Sequence, residues 1–359
     1  CTHIRHLFWS SPRQPFLNGN MMQQNVSLAP YTTLRVGGPA RYFFVAENEK
    51  DVEGAVSFAK KNDLPIFVLG GGSNILFSND GFPGVVIKDE IGGITYENVD
   101  NGVRVTAGAG VAWDDLVRET VERSFYGLEN LSLIPGTVGA APIQNINAYG
   151  AHVGDVIESV KVFDSETMRM RTLSNEECEF VYRRSIFKNK RQFIVTKVTF
   201  ILSRTGTIDC SYKDIKKYFE RKHIIVPTLV QMRNAIVAIR TGKLPDVRKM
   251  GTAGSFFVHP IVSQEQAEKL KEKFPDLSIV PYMDGMVKII AGRLLDMLGW
   301  KGAREGNVGT HQTHALAIVN YGTDNAQEIY HFAERMRKDA KEKTGIDLEF
   351  EVHIVGDFS

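Results

Sequence analysis

Short apolar runs, each ending at a glycine or a polar turn, dominate the first half of the chain. Strands are predicted at 41–45, 65–69, 75–77, 85–87, 103–105, 159–163 and 193–200. Asn48 and Asp51 open a helix whose apolar face carries Val52, Ala55, Val56 and Ala59. A second helix follows the glycine pair at 108 and 110 and carries Leu116, Val117 and Val121. This alternation of short elements is typical of an α+β or α/β protein.

Helical spacing prevails beyond residue 227. Three apolar stripes are predicted on helices: Leu229, Met232, Ile236 and Ile239; Ala267 and Leu270; and Ile290, Leu294, Leu295 and Leu298. Ser263 with Gln266 forms a capping box before the second stripe. A final helix is expected to open at Asp324 and to end before Gly345.

Residues 1–24 show no sustained period and are predicted to be a flexible extension. A start at Met21 or Met22 is one interpretation of this segment, and a lipoprotein beginning at Cys1 is the other.

Composition narrows the class of protein. A chain of 359 residues predicts two or three domains. A net charge of +1 argues against a nucleic-acid surface, and no apolar run is long enough to span a bilayer. The three cysteines contain no CxxC pair, which favours a reducing cytoplasm.

Two glycine-rich segments suggest a phosphate-containing ligand. The first, Gly70-Gly71-Gly72-Ser73-Asn74, is neither a P-loop nor GxGxxG, so it is either a tight strand-to-strand turn or a loop whose amides wrap a diphosphate. The second covers residues 134–150. It lies within the stretch 131–150, which is rich in Gly, Ala, Pro and Asn and is predicted to be poor core material. Together the two segments favour one extended cofactor.

Three further stretches offer reactive groups. Ser255 follows a glycine, Glu351 lies on a strand predicted at 348–352, and Arg183 lies in a basic stretch. A hydroxyl, a carboxylate and a cation around one substrate can deliver a proton and stabilise an enolate. Each has a plainer interpretation: packing for Ser255, a solvated face for Arg183, and outward-facing charge for Glu351.

His311 and His314 lack the spaced partners of a metal site, so no metal is predicted. Lys243 has two interpretations, a favourable charge that ends its helix or a ligand contact.

Six segments occur in the order found in the UDP-N-acetylenolpyruvoylglucosamine reductase (MurB) family, which the chain resembles from about residue 27 to 356. They are 70–77, 134–150, 182–188, 243–246, 253–257 and 348–352. The resemblance implies an α+β fold with an FAD-binding region of the vanillyl-alcohol-oxidase (PCMH) type at about 36–207. It divides the chain into FAD-binding subdomains at 25–90 and 91–226 and a substrate domain at 227–345, with 346–359 returning to the first subdomain.

The resemblance also implies the chemistry. NADPH reduces a non-covalent FAD, flavin N5 delivers hydride to the enolpyruvyl group of a UDP-sugar, and UDP-N-acetylmuramate forms for peptidoglycan. A cytoplasmic monomer is expected, with small molecules rather than nucleic acid or membrane as partners.

Site residues follow from the matched motifs. Ser255 would donate the proton, while Arg183 and a protonated Glu351 would polarise the carboxylate. The implied FAD contacts are Gly70, Gly71, Gly72, Ser73, Asn74, Pro135, Gly136, Thr137, Gly139, Gln144, Asn145, Ala148, Tyr149 and Gly150. The implied substrate contacts are Tyr182, Tyr212, Lys243, His259 and His314.

Departures from the family pattern are few. Asn147 replaces a common glycine, and asparagine tolerates left-handed backbone. His259 replaces an asparagine of some members, and His314 stands where another polar residue is found. Tyr212 and its surroundings indicate the subtype that keeps a loop over the substrate.

Two other functions fit the same sequence. An oxidase of this flavin fold would return electrons to oxygen, although no residue for a covalent flavin link can be assigned. A non-catalytic UDP-sugar-binding protein would keep the cleft and lack the flavin.

Overall fold

The computed structural model describes residues 16–17, 20–100 and 102–358. Within these residues the strands are β1 Phe16–Leu17, β2 Asn20–Met21, β3 Gln23–Ser27, β4 Pro39–Ala46, β5 Ile66–Leu69, β6 Ile75–Phe77, β7 Phe82–Asp89, β8 Ile94–Val99, β9 Gly102–Gly108, β10 Asn147–Ala148, β11 Ala151–His152, β12 Ile157–Asp164, β13 Arg169–Ser174, β14 Phe193–Leu202, β15 Gly251–Ser255, β16 Ile261–Ser263, β17 Ile279–Pro281, β18 Met286–Ile289, β19 Arg304–Glu305, β20 Val308–His311, β21 His314–Asn320 and β22 His353–Val355. The α-helices are α1 Glu49–Lys61, α2 Trp113–Glu122, α3 Ile186–Asn189, α4 Lys213–Lys222, α5 Leu229–Lys243, α6 Gln264–Lys273, α7 Ala291–Met297 and α8 Ala326–Thr344.

The first part of the chain builds a four-stranded sheet in the order β3-β4-β7-β5. Strands β4 and β5 both run parallel to β7, and β3 runs antiparallel to β4. Helix α1 begins as predicted, because the Asn48 side chain accepts from the amides of Lys50 and Asp51. Its predicted apolar face is buried.

The boundary predicted at residue 24 falls inside β3, which pairs with β4. Strands β1 and β2 also pair with each other, and Met22 is only 3% exposed in the core. Residues 22–24 therefore belong to the first sheet and its core, while the extension as a whole stays a prediction. Residues 1–15 and 18–19 lie outside the described residues.

The middle part is an antiparallel sheet in the order β13-β12-β14-β9-β8. Helix α2 covers this sheet, and its buried Trp113 donates from Nε1 to the carbonyl of Leu131 at 2.9 Å. The segment 131–150 was wrongly predicted to be poor core material. Its apolar side chains are buried in the core of the middle part, because the loop folds back over the sheet: Leu131, Val138, Ala141 and Ile146.

Helix α5 packs with the middle part. Its buried Met232, Ile236 and Ile239 meet Ile215 and Phe219 of α4. A capping box made by Thr228 and Gln231 fixes its start. The domain division at residue 226 stays a prediction.

The last part contains two antiparallel sheets, β15-β21-β20-β19 and β16-β18-β17, covered by α6, α7 and α8. Ser263 caps α6 as predicted. The start predicted for α8 is one residue off, because Asn325 rather than Asp324 accepts from the amide of Gln327. Gly345 ends this helix with a left-handed φ of 74°. The mixture of sheets and helices confirms the α+β prediction.

The strand predicted at 348–352 is wrong. Those residues are irregular apart from one bridge between Phe257 and Phe350, and the strand lies later, at β22. Strand β22 runs parallel to β6 of the first part. The preceding Leu348 and Val352 are buried in the core of the last part, so this segment links the two ends of the fold.

Asp89 is a buried carboxyl group at the end of β7. It is 3% exposed, and burial raises its pKa to about 7, although the amide of Ile91 donates to it. The raised pKa means that Asp89 stabilises the fold fully below pH 3.8 and that this contribution is lost as the pH rises through 7.

Asp89→Asn is therefore expected to raise the free energy of unfolding at pH 8 by up to about 4 kcal/mol, and to change it little at pH 4. Urea unfolding at several pH values measures the difference. Asp80→Asn, at an exposed position, is the control, and its difference from wild type in free energy of unfolding should not grow with pH. If that difference is also independent of pH for Asp89→Asn, the prediction is contradicted.

Candidate active site

A cleft of about 690 Å³ lies where the three parts of the chain meet. Residues 67–75 of the first part form one wall, and residues 133–147 of the middle part form another. Helix α5, residues 245–248 and β15 contribute a third, together with Arg183 and Glu351. The sequence segments predicted to carry chemistry therefore converge on one cavity.

The two glycine-rich segments, which both contribute to the lining of this cleft, also contact each other directly. A Cβ on Gly71 would lie 2.8 Å from the Cα of Gly136, and one on Gly72 would lie 1.9 Å from the carbonyl oxygen of Tyr31. Ser73 Oγ donates to the carbonyl of Pro135 at 3.1 Å. These contacts leave no room for side chains, so the glycines are needed for close backbone approach.

The amide N–H groups of Gly71, Gly72 and Ser73 donate to no acceptor in the part of the chain that the structure describes. Successive unpaired amides at a turn form a concave site for an anion. This geometry favours the ligand-binding interpretation of the loop over the plain turn.

Asn74 and Gln144 tie the first two walls to Glu351. Asn74 Nδ2 donates to Gln144 Oε1 at 3.2 Å and to the carbonyl of Glu351 at 3.1 Å. Gln144 Nε2 lies 3.4 Å from Glu351 Oε1 and donates to it. Both residues were predicted to contact a cofactor, and here they also hold Glu351 in place.

Arg183 and Glu351 form an ion pair inside the cleft. Arg183 Nη1 lies 3.3 Å from Glu351 Oε1, and the Glu351 side chain is only 9% exposed. Burial raises the pKa of Glu351, although the charges of Arg183 and Lys188 lower it. Arg183 Nε is buried without a partner among the described residues, so the guanidinium keeps donor capacity.

Arg183 also has unusual backbone, with a φ of 55°. A non-glycine residue in the left-handed region is uncommon and is held there by its surroundings. The tight turn of residues 181–184 sets this conformation, since the amides of Val181 and Arg184 each bond the other's carbonyl.

Ser255 ends β15 and lines the same cleft. The amide of Glu351 donates to the carbonyl of Phe256 at 2.9 Å, which places Glu351 beside the residue that follows Ser255. Gly254 before it has a φ of 72° and open space where a Cβ would be. The structure therefore brings together all three of Ser255, Arg183 and Glu351.

Several predicted cofactor contacts lie outside the cleft lining. They are Gly136, Gly139, Asn145, Ala148, Tyr149 and Gly150. Gly139 packs on Ala109, and both ends of the Asn145 amide bond the backbone: Oδ1 accepts from Gly154 and Nδ2 donates to Val181. Gly139 and Asn145 therefore serve packing and backbone hydrogen bonding outside the cleft lining.

Asn147 does not adopt the left-handed backbone that asparagine tolerates. It lies in β10, and the left-handed residues are its neighbours Asn145 and Tyr149, with φ of 46° and 50°. Asn147 lines the cleft, and its Nδ2 has no partner among the described groups.

Tyr182 and His259 lie beside the cleft in a cationic neighbourhood. Lys288 Nζ lies 4.0 Å from the centre of the Tyr182 ring and 4.8 Å from that of Tyr282. His259 Nδ1 accepts from the amide of Ala291 at 3.3 Å. Burial, followed by nearby positive charges, lowers the pKa of His259 to about 4.

Tyr212 and Lys243 both contact residues of the middle part of the chain. The Tyr212 ring lies 5.2 Å from that of Tyr149, and Lys243 Nζ pairs with Asp214 at 2.5 Å. Burial lowers the pKa of His314 to about 4, and its Nδ1 has no partner among the described groups. The structure thus places the predicted substrate contacts around the cleft but not in its lining.

Among the cleft residues that the sequence analysis did not assign to the site are Phe67, Arg240 and His353. Arg240 donates from Nε to the carbonyl of Leu133 at 3.3 Å, and burial lowers its pKa. A charged residue near the end of an otherwise apolar helical face was the available signal. His353 had no comparable signal, since it belongs to the segment whose strand was misplaced.

Within the described residues, none of the helices is both long and apolar enough to cross a bilayer. Nor do His, Cys, Asp and Glu side chains gather there into a group that could hold a metal ion.

Comparison with known proteins identifies the family. Residues 40–173 match an FAD binding domain model, and residues 246–355 match the model of the UDP-N-acetylenolpyruvoylglucosamine reductase C-terminal domain. UDP-N-acetylenolpyruvoylglucosamine reductases of Pseudomonas aeruginosa and Flavobacterium johnsoniae are 40% and 39% identical over 93% of this chain, covering 98% and 99% of their own lengths. The crystal structure of the Thermus caldophilus enzyme (MurB) is 26% identical, with a TM-score of 0.65 over 93% of this chain and 100% of its own. The chain therefore belongs to the UDP-N-acetylenolpyruvoylglucosamine reductase family of oxidoreductases.

Proposed function

We propose that this protein uses NADPH and FAD to reduce UDP-N-acetylglucosamine enolpyruvate to UDP-N-acetylmuramate for peptidoglycan synthesis. The observation that carries the proposal is the convergence of Ser255, Arg183 and Glu351 on a cleft whose opposite walls are glycine-rich. A hydroxyl, a guanidinium and a buried carboxyl group suit a reaction that builds negative charge on a carboxylate.

Structural features of the cleft itself are suited to FAD. Unpaired amides at Gly71, Gly72 and Ser73 suit a diphosphate, and the partnerless Asn147 Nδ2 is a donor in the lining. Pro135, Thr137 and Gln144 would complete the non-covalent contacts. FAD, when bound, supplies hydride chemistry toward the vinyl carbon of the substrate.

The chain's own groups perform the remaining steps. Ser255 donates a proton to the enolate carbon. Arg183 binds the carboxylate with its fork of donors, and Glu351 supports it in the protonated form that its raised pKa favours. Gln144 and Asn74 keep Glu351 in position through their hydrogen bonds to its side chain and its carbonyl.

Tyr182, Tyr212, Lys243, His259 and His314 are proposed to hold the UDP-sugar, with the segment around Tyr212 covering it. Their location around the cleft supports this role. A cytoplasmic monomer is proposed from the composition and the family.

Anaerobic visible spectroscopy tests the function directly. We expect flavin bands in the purified protein, loss of these bands with NADPH, and their return when the enolpyruvyl UDP-sugar is added. Return with oxygen alone, at the full turnover rate, would favour an oxidase. Protein that binds UDP-sugars and takes up no FAD would favour the non-catalytic alternative.

Gly71→Ala is expected to abolish FAD binding. The new Cβ would lie 2.8 Å from backbone at Gly136, and backbone cannot move aside as a flexible side chain can. We expect the variant to be purified without flavin absorbance. Its FAD dissociation constant should rise at least about a hundredfold, which corresponds to a loss of about 2.7 kcal/mol in the free energy of binding.

Gly242→Ala is the matched control for this variant, because nothing lies within 4 Å of the position that its new methyl group would take on α5. It should bind FAD normally. A Gly71→Ala protein with normal flavin content would show that the two loops do not enclose the cofactor.

A further inference from the structure

The second glycine-rich segment is preceded by a residue with strained backbone. Leu133 lines the cleft and has a φ of 59°, a left-handed conformation that is uncommon for leucine. Its side chain is 36% exposed, so burial of the side chain contributes little to holding the turn. A residue in a sparsely populated conformation persists only where its surroundings fix it. The polar contacts of the Leu133 backbone therefore carry most of this constraint.

Two side chains hold the Leu133 peptide groups from different helices. Asp114, in the first turn of α2, accepts from the Leu133 amide through Oδ1. Arg240 of α5 donates from Nε to the Leu133 carbonyl at 3.3 Å. The donor and the acceptor of this one residue are thus both bound by charged groups, which make stronger hydrogen bonds than neutral ones.

Arg233 of α5 fixes the Asp114 carboxylate in turn. Its Nη1 lies 2.7 Å from Asp114 Oδ1 and its Nη2 lies 2.8 Å from Oδ2, and the Arg233 side chain is only 13% exposed. Burial raises the pKa of Asp114, but the bonds from Arg233 and from the Leu133 amide lower it below its ordinary value. Arg233 and Arg240 lie about two turns apart, so one face of α5 serves both contacts.

The start of α2 also holds the other end of the loop that Leu133 opens. The amide of Trp113 donates to the carbonyl of Gly136 at 3.0 Å. Pro135 lies between these two anchored residues and lines the cleft. The loop is therefore tied to α2 twice, through backbone at Gly136 and through the Asp114 side chain at Leu133.

We propose that Asp114, held by Arg233, is a positioning residue that preorganises residues 133–137 for the flavin. Its bond to the Leu133 amide keeps the turn left-handed whether or not the cofactor is bound. A loop that already has its bound conformation loses less entropy on binding, which raises affinity. The inference rests on the proposed function, because that proposal assigns the loop to FAD.

Titration of flavin-free protein with FAD tests this role. Asp114→Ala removes both the acceptor and the ion pair, and we expect its FAD dissociation constant to rise about tenfold. Asp114→Asn keeps an acceptor oxygen for the Leu133 amide, so its constant should rise no more than about threefold. Asp115→Ala is the matched control, since Asp115 is the next residue of α2 and its ion pair with Arg118 is exposed. Its FAD affinity should equal that of wild type.

A charge exchange separates positioning from stability. Asp114→Arg combined with Arg233→Asp restores opposite charges between α2 and α5, but arginine offers no acceptor to the Leu133 amide. We expect the double variant to resist urea better than Asp114→Arg alone and still to bind FAD as weakly as Asp114→Ala. If FAD affinity follows urea stability across all the variants, the pair only joins the two helices and the proposal is overturned. Should the exchanged pair not fold, an equal loss of affinity in Asp114→Ala and Asp114→Asn overturns it as well.

Hydrogen exchange of the Leu133 amide, followed by NMR, is a readout that needs no cofactor. In flavin-free protein, this amide should exchange at least about tenfold faster in Asp114→Ala than in wild type, and at the wild-type rate in Asp115→Ala. An unchanged rate in Asp114→Ala would show that Asp114 does not fix the turn. Wild-type protein that takes up no FAD would refute the proposed function, and the exchange rates would then decide the role of Asp114 by themselves.

Discussion

Replacement of Ser255 by alanine is expected to lower the rate of flavin reoxidation by the enolpyruvyl UDP-sugar about a thousandfold, and to leave flavin reduction by NADPH nearly unchanged. A positioned general acid contributes about 10²–10⁴ in rate. Ser255 lines the cleft beside the segment that carries Glu351, and the methyl group of alanine fits the same space. Stopped-flow absorbance, with each half-reaction followed separately, measures the two rates.

Ser263→Ala is the matched control, since it removes the hydroxyl that caps α6 outside the cleft lining. It should lower stability by about 1 kcal/mol and change neither half-reaction. Equal losses in both half-reactions of Ser255→Ala would show that Ser255 packs or orders the cleft and does not donate the proton.

Glu351→Ala is expected to lower the same reoxidation rate by about a hundredfold or more, and Glu351→Gln by much less. Alanine removes the carboxyl group that lies 3.3 Å from Arg183 Nη1, and with it the donor proposed to support the substrate carboxylate. Glutamine keeps a donor at the same place. Because the active form of Glu351 is protonated, the wild-type reoxidation rate should fall as the pH rises through its raised pKa.

Because glutamine cannot ionise, the reoxidation rate of Glu351→Gln should not fall over this pH range. Its pH profile therefore provides the decisive comparison. Glu349→Gln is the control, two residues away in the same segment and outside the cleft lining. A glutamine variant with the wild-type pH dependence would assign the titration to another group.

Local patterns predicted most of the elements. The periodic apolar face of α1 and the caps at Asn48 and Ser263 were placed correctly, since neighbours along the chain determine them. The segment 348–352 was misplaced because its alternation matches a strand, while its actual partners are distant: Asn74 contacts Glu351 across a separation of 277 residues.

Sequence motifs predicted which segments form the site, but they did not predict its geometry. Asn145 and Asn147 have the same side chain two positions apart, yet one bonds the backbone and the other lines the cleft. Which of the two side chains lines the cleft depends on where the loop contacts residues 154 and 181. Those contacts cannot be predicted from the spacing of residues in the sequence. His353 was missed for the same reason, since its neighbour Phe67 is distant along the chain.

The parallel pairing of β22 with β6 has a consequence for synthesis on the ribosome. The sequence separation of 277 residues from Asn74 to Glu351 takes roughly 14–55 s to translate at about 5–20 residues per second. A nascent chain that has emerged only to residue 345 lacks Glu351 and leaves the edge of β6 without its partner. Catalytic competence is therefore a late event for each molecule, and a chaperone that shields the β6 edge has tens of seconds in which to act.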